Sequence, residues 1–140
     1  MAKVSTLLCF DFGLSNIGVA VGNTLTKEAR PLAVLGAQHG KPNWDKVSAL
    51  VNEWLPSVVI VGNPTNEGGE STDLSAKAAR FARQLEGRFQ LRVELHDERF
   101  TSKEAKLRAK ETGHRGDYAA VPIDDLAAAI ILESYLTSDT

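Results

Sequence analysis

Three carboxylates stand where an apolar stretch of this chain gives out. Asp11 follows the run from Leu7 to Phe10, Glu98 lies in HDERF just after the alternating stretch LRVEL, and Asp124 opens the last apolar segment, in PIDDLAAAIIL. A carboxylate that leaves water alone is costly, so each needs a counter-charge, a metal or a proton. Gathered at one place, three would repel one another unless a divalent cation neutralised them. All-oxygen donors of this kind suit Mg²⁺ or Mn²⁺. Two such ions can activate a water and stabilise a leaving oxygen in phosphodiester cleavage. Each acid also has an ordinary role open to it. Asp11 can cap the turn at residues 13–16, as Asp often does. Glu98 can pair with Arg99, and Asp97 competes with it because adjacent strand residues face opposite ways. Asp124 and Asp125 can both sit in a helix's first turn, where its dipole favours negative charge.

The elements that must hold these residues follow from periodicity. Residues 5–12 form a strand buried on both faces, and a tight turn leads into a second strand at 17–23. A weaker third strand at 28–37 completes an antiparallel meander. Apolar residues at 44, 47, 50, 51 and 54 have helical spacing, and Pro56 ends that helix. SVVIVGNP, 57–64, is a β-branched buried strand, followed by the turn-rich loop NPTNEGGEST. Leu74, Ala78, Phe81, Ala82 and Leu85 make one stripe of an amphipathic helix. LRVEL, 91–95, is a strand. Thr101 with Glu104 forms a capping box and Gly113 a C-cap, which predicts a helix over 102–112. Residues 114–122 form a loop before a final helix over 123–136. The order βββαβαβαα gives an α/β fold, one domain over residues 1–140, with a mixed sheet flanked by helices. In such open sheets ligands gather at the strand carboxyl ends, where the three acids fall.

Of 140 residues, 43% are apolar and 24% charged, ordinary for a soluble globular domain. No run approaches the roughly 18 apolar residues of a membrane span, and MAKVSTLLCFDF lacks a signal peptide's long apolar core. Cys9, the one cysteine, sits inside an apolar run and cannot form an internal disulfide. A cytoplasmic protein is expected. The net charge is −2, but it is polarised: residues 76–115 carry eleven Lys and Arg against six Asp and Glu. One basic surface can therefore attract a nucleic acid although the whole is acidic. Arg80 and Arg83 lie off the apolar stripe of their helix. Arg99 is a phosphate-contact candidate beside Glu98, Lys103 and Lys106 follow it, and His114 with Arg115 stands in a loop that can face substrate. The three histidines lack zinc spacing. Trp44 and Trp54 flank an amphipathic helix and are expected in a core or interface.

Four stretches, FDFGLSNIGVAVG, IVGNP, HDERFTS and IDDLAAAIILESYL, together resemble the YqgF (RuvX-like) family. These bacterial RNase H-fold proteins are described both as Holliday junction resolvases and as pre-16S ribosomal RNA nucleases. The resemblance implies a five-stranded RNase H-like sheet, in which an antiparallel meander is joined by parallel strands. It also implies a metal-dependent nuclease that matures the 5′ end of 16S ribosomal RNA. It selects Asp11, Glu98 and Asp124 as catalytic residues and ligands of two Mg²⁺ or Mn²⁺ ions. The family often carries a basic residue before IGVA and a lysine before the last Asp, where this chain has Ser15–Asn16 and YAAVP. Three other functions share features with the sequence. A resolvase on four-way DNA uses the same chemistry and needs a homodimer; the sequence itself leaves monomer and homodimer open. A non-catalytic ribosome-assembly factor would keep the acids for structure. An actin- or sugar-kinase-like phosphotransferase needs a second domain for which this chain has no room.

Overall fold

A computed structural model describes residues 5–63, 73–97 and 124–137. The helix expected at 102–112, the loop after the central strand and the loop at 114–122 lie outside the described residues.

At the centre is β1, Thr6–Asp11. Its side chains alternate between two apolar layers, as a strand's two-residue period dictates. Leu8 and Phe10 enter one core and Leu7 and Cys9 the other, all at most 2% exposed. Strand β2, Asn16–Asn23, pairs with β1 antiparallel, placing Asp11 opposite Gly18. Strand β3, Ala29–Gln38, pairs with β2 antiparallel. Its Pro31 is tolerated because β3 has no described partner on its other side until Ala37. Strand β5, Val58–Asn63, lies parallel to β1, and β6, Arg92–Asp97, lies parallel to β5.

The expected meander and parallel strands are present, but the sheet has six strands and not five, in the order β4-β3-β2-β1-β5-β6. The extra strand is the two-residue β4, Lys41–Pro42. It exists because His39 and Gly40 both take positive φ, 53° and 81°. Two such residues make a tight hairpin turn whose twist matches the strands it joins. Gln38 then pairs with Lys41, and Ala37 with Pro42. Strand β6 also runs beyond the expected LRVEL to Asp97, because Asn63 and Asp97 extend its pairing with β5.

Two helices cover one face. Helix α1, Trp44–Trp54, starts at Asn43, whose side chain accepts a hydrogen bond from the Asp45 N–H at 2.9 Å. It ends at Leu55 in a left-handed conformation, just before Pro56. Helix α2, Asp73–Phe89, buries the expected stripe of Ala78, Phe81, Ala82 and Leu85. Phe81 joins the layers: its ring lies 5.8 Å from Phe10, 5.3 Å from Phe12 and 5.7 Å from Trp44. Both tryptophans pack at this core, Trp44 under the Arg88 guanidinium and Trp54 under that of Arg30.

Helix α3, Asp124–Thr137, alone among the described helices covers the opposite face. Strand β2 receives it with Gly18, Ala20 and Gly22, the positions of one strand face. Ala20 is wholly buried, and a Cβ on Gly22 would lie 3.1 Å from both Leu132 and Leu136. Small residues on the strand and Ala128 and Ala129 on the helix let the two backbones approach closely.

Candidate active site

Asp11 ends β1 and follows Leu7 and Cys9 in the alternation that faces α3. Its cross-strand partner Gly18 is where α3 begins: a Cβ there would collide with the carbonyl of Asp124, well inside van der Waals contact. The missing side chain thus lets the first turn of α3 rest on the strand directly opposite Asp11. Gly13 serves the connecting turn in a similar way, since a Cβ there would strike the carbonyl of Asn16.

The two neighbouring acids at the start of α3 differ in their work. The Asp125 carboxylate accepts from the Leu126 N–H at 2.9 Å and so serves the helix start. Asp124 is half-buried. Burial pushes its carboxyl above the ordinary aspartate value, its own backbone N–H draws it partly back, and the Asp125 charge raises it further. A partly desolvated carboxylate beside a second acid is a position where a cation is favoured.

The parallel strands finish at the same edge. Asn63 ends β5 and accepts a 2.8 Å hydrogen bond from the buried Ser75 hydroxyl, which ties α2 to the strand end. Asp97 pairs with Asn63 in register. Along β6, Glu94 and His96 face α3. Tyr135 donates to Glu94, and His96 Nε2 lies 3.0 Å from Ser134 Oγ. The Tyr135 hydrogen bond, helped by Arg92 and opposed by burial, holds the Glu94 carboxyl below its ordinary value.

Of the residues singled out in the sequence, Asp11 and Asp124 both neighbour Gly18, Asp11 as its register partner on β1 and Asp124 with its backbone against it. Arg80 and Arg83 lie exposed on α2, across the sheet from α3. Glu98, Arg99, Lys103, Lys106, His114 and Arg115 lie outside the described residues. Among the described residues no three His, Cys, Asp or Glu converge to hold a metal ion. Asp11 and Asp124 are hard oxygen donors that fit Mg²⁺ or Mn²⁺ once a further acid joins them.

One neighbour of the site escaped the sequence reading. The β3–β4 hairpin bonds to the turn after Asp11: the Ala37 N–H donates to Ser15 O at 2.8 Å and the Gly40 N–H to Leu14 O at 2.9 Å. The dipeptide His39–Gly40 between short extended runs was its available signal.

A central meander, two parallel strands and a helix carrying a carboxylate to the end of the first strand define an RNase H-like, RuvC-type fold. Thermus thermophilus RuvC, solved with a Holliday junction substrate, superposes with a TM-score of 0.54 at 15% identity, covering 94% of this chain and 93% of that one. The fowlpox virus Holliday junction resolvase gives 0.53 at 17%, covering 94% and 96%. The chain belongs to the RuvX family, whose model, described as Holliday junction resolvase, matches residues 5–138. A relative from Azotobacter vinelandii, named "Putative pre-16S rRNA nuclease", is 50% identical over 136 residues, 97% of this chain and 96% of that protein. One of the same name from Pseudomonas savastanoi pv. phaseolicola is 48% identical over 137 residues, 97% and 94%. No helix among the described residues is long and apolar enough to cross a membrane.

Proposed function

We propose that this chain is a metal-dependent nuclease, one domain over residues 1–140, that cleaves structured RNA in the 5′ precursor of 16S ribosomal RNA in the cytoplasm. The observation that carries the reading is that Gly18, the register partner of Asp11 at the carboxyl end of β1, also receives the Asp124 backbone. The names of the relatives supply the substrate.

Asp11, Glu98 and Asp124 would hold two Mg²⁺ or Mn²⁺ ions. Bound there, the ions supply an activated water and charge neutralisation at the departing oxygen. The chain's own part is orientation. Asp11 is fixed by its pairing with Gly18 at the end of a strand held on both sides as far as Phe10, and Asp124 by the helix backbone resting on Gly18. Along β6, Glu94 and His96 face α3, and Glu98 is the acid that the family resemblance selects. Arg99, Lys103, Lys106, His114 and Arg115 would take phosphates near the cut. Arg80 and Arg83, on the far side of the sheet, would meet only a flanking segment. A second reading, a resolvase of four-way DNA, draws on the description of the family model and requires a homodimer.

The test is cleavage of a labelled 16S precursor 5′ fragment and of a four-way DNA junction, each with Mg²⁺ or Mn²⁺. The wild-type chain should cut the RNA. Asp11→Asn should lower the rate by about 100-fold or more, since even outer-shell losses typically cost 10–100-fold. Equal cutting by both proteins would overturn the role of Asp11. Cutting of the junction alone would shift the reading to the resolvase. Cutting of neither would favour the non-catalytic assembly factor.

A further inference from the structure

We propose that the β3–β4 hairpin is a second nucleic-acid contact, a groove that binds the phosphodiester backbone beside the cut through Lys41 and His39. The inference rests on the nuclease reading and adds to it a surface far in sequence from the basic segment 76–115.

The groove holds about 690 Å³ and is lined by Gly36, Gln38, His39, Lys41 and Asn43, among others. The chain carries 18 acidic residues, yet none of the side chains lining this groove is a carboxylate. Lys41 and His39 are exposed, and Gln38 adds an exposed amide. Gly36 opens the groove, since a Cβ there would meet nothing within 4 Å. A lysine ammonium, an imidazole and amide donors are groups that take phosphate oxygens.

Position ties this groove to the site. The hairpin backbone bonds to Leu14 and Ser15, in the turn that leaves Asp11. Gly40 rests against that turn as well: a Cβ on it would lie 2.7 Å from the ring of Phe12 and 3.5 Å from Leu14. Phe12 is itself buried in the core, so the hairpin has a firm seat. Leu14 lies three residues from Asp11, at most ~10 Å along the chain. Leu14, 41% exposed, gives the same rim an apolar side chain against which a sugar or base can pack.

The test is equilibrium binding of the full chain without divalent metal, read by fluorescence anisotropy across a KCl series. The probes are the labelled 16S precursor fragment and a four-way DNA junction. Lys41→Ala should weaken binding and reduce the slope of log affinity against log salt by about one, as loss of one phosphate contact does. Lys41→Glu should weaken it about tenfold or more, and Lys41→Arg should restore it. His39→Asn, which tolerates the positive φ, should weaken it less. Lys27→Asn, in the turn between β2 and β3 at the other end of the sheet, should change nothing. With Mn²⁺ added, Lys41→Ala should raise KM and leave kcat within about twofold. Wild-type affinity and salt slope in both Lys41→Ala and Lys41→Glu would overturn the hairpin contact alone. Failure of the wild-type chain to bind either probe would overturn the nuclease reading with it. A melting curve matching wild type separates either result from misfolding.

Discussion

At the scale of single residues, Asp124 is the side chain whose environment says most. Burial and the adjacent Asp125 raise its carboxyl above the ordinary value. A carboxyl whose folded pKa is raised costs stability when ionised. The cost is fully present above the folded value and fades as pH falls toward the unfolded one. Asp124→Asn should therefore melt at or above wild type in metal-free buffer at pH 7. The gain stays below about 1 kcal/mol, because the group is half exposed and solvent screens it. It should shrink as the pH is lowered toward 4. The same variant should bind less Mn²⁺ by calorimetry. A lower melting temperature without metal would return Asp124 to a helix-capping role. The choice between Asp124 and Asp125 was open in the sequence, since both suit a helix start. The hydrogen bond from the Leu126 N–H to Asp125 separates them, and no sequence pattern reports which of two adjacent carboxylates the backbone will take.

Among the elements, the contact between β2 and α3 matters most, because it sets how far Asp124 lies from Asp11. Gly18 is needed for its missing Cβ. Gly18→Ala puts a methyl group against the Asp124 backbone, which cannot yield as a flexible side chain would. Overpacking of this kind costs about 1–3 kcal/mol. The first turn of α3 should lift, and a displacement near 1 Å can cost about 100-fold in rate. We expect Gly18→Ala to remain folded by circular dichroism and lose cleavage by that order. Full activity would show that the close approach is not required. At the other end of α3, Tyr135 donating to Glu94 and Ser134 beside His96 join the helix to β6. One helix therefore spans the sheet from β2 to β6, and its tilt is fixed at both ends.

For the whole molecule, the two layers on β1 make one cooperative unit. Phe81 sits where β1, α1 and α2 meet, 1% exposed and in ring contact with Phe10, Phe12 and Trp44. Phe81→Ala should cost about 3–5 kcal/mol, a large part of the 5–15 kcal/mol typical of a domain. Urea unfolding followed by tryptophan fluorescence and by circular dichroism should shift together to a lower midpoint. Separate transitions would show that the two faces fold independently. The elements carried by strong local patterns were legible in the chain: β1 from its unbroken apolar run, α1 from its spacing and Pro56, and α2 from its stripe. Strand β4 was not, because two residues carry no period. It forms because the His39–Gly40 turn returns the chain to the end of β3, on an edge with no other described partner. By itself the sequence determined the family, the order of the main elements and the acids standing where apolar runs end. Each of those is written in neighbouring residues. The tertiary structure decided that α3 rests on Gly18 opposite Asp11, that Arg80 and Arg83 face away from α3, and that a basic hairpin borders the turn after Asp11. Those relations join residues distant in the chain, and they depend on strand register and backbone approach, which exist only once the sheet has closed.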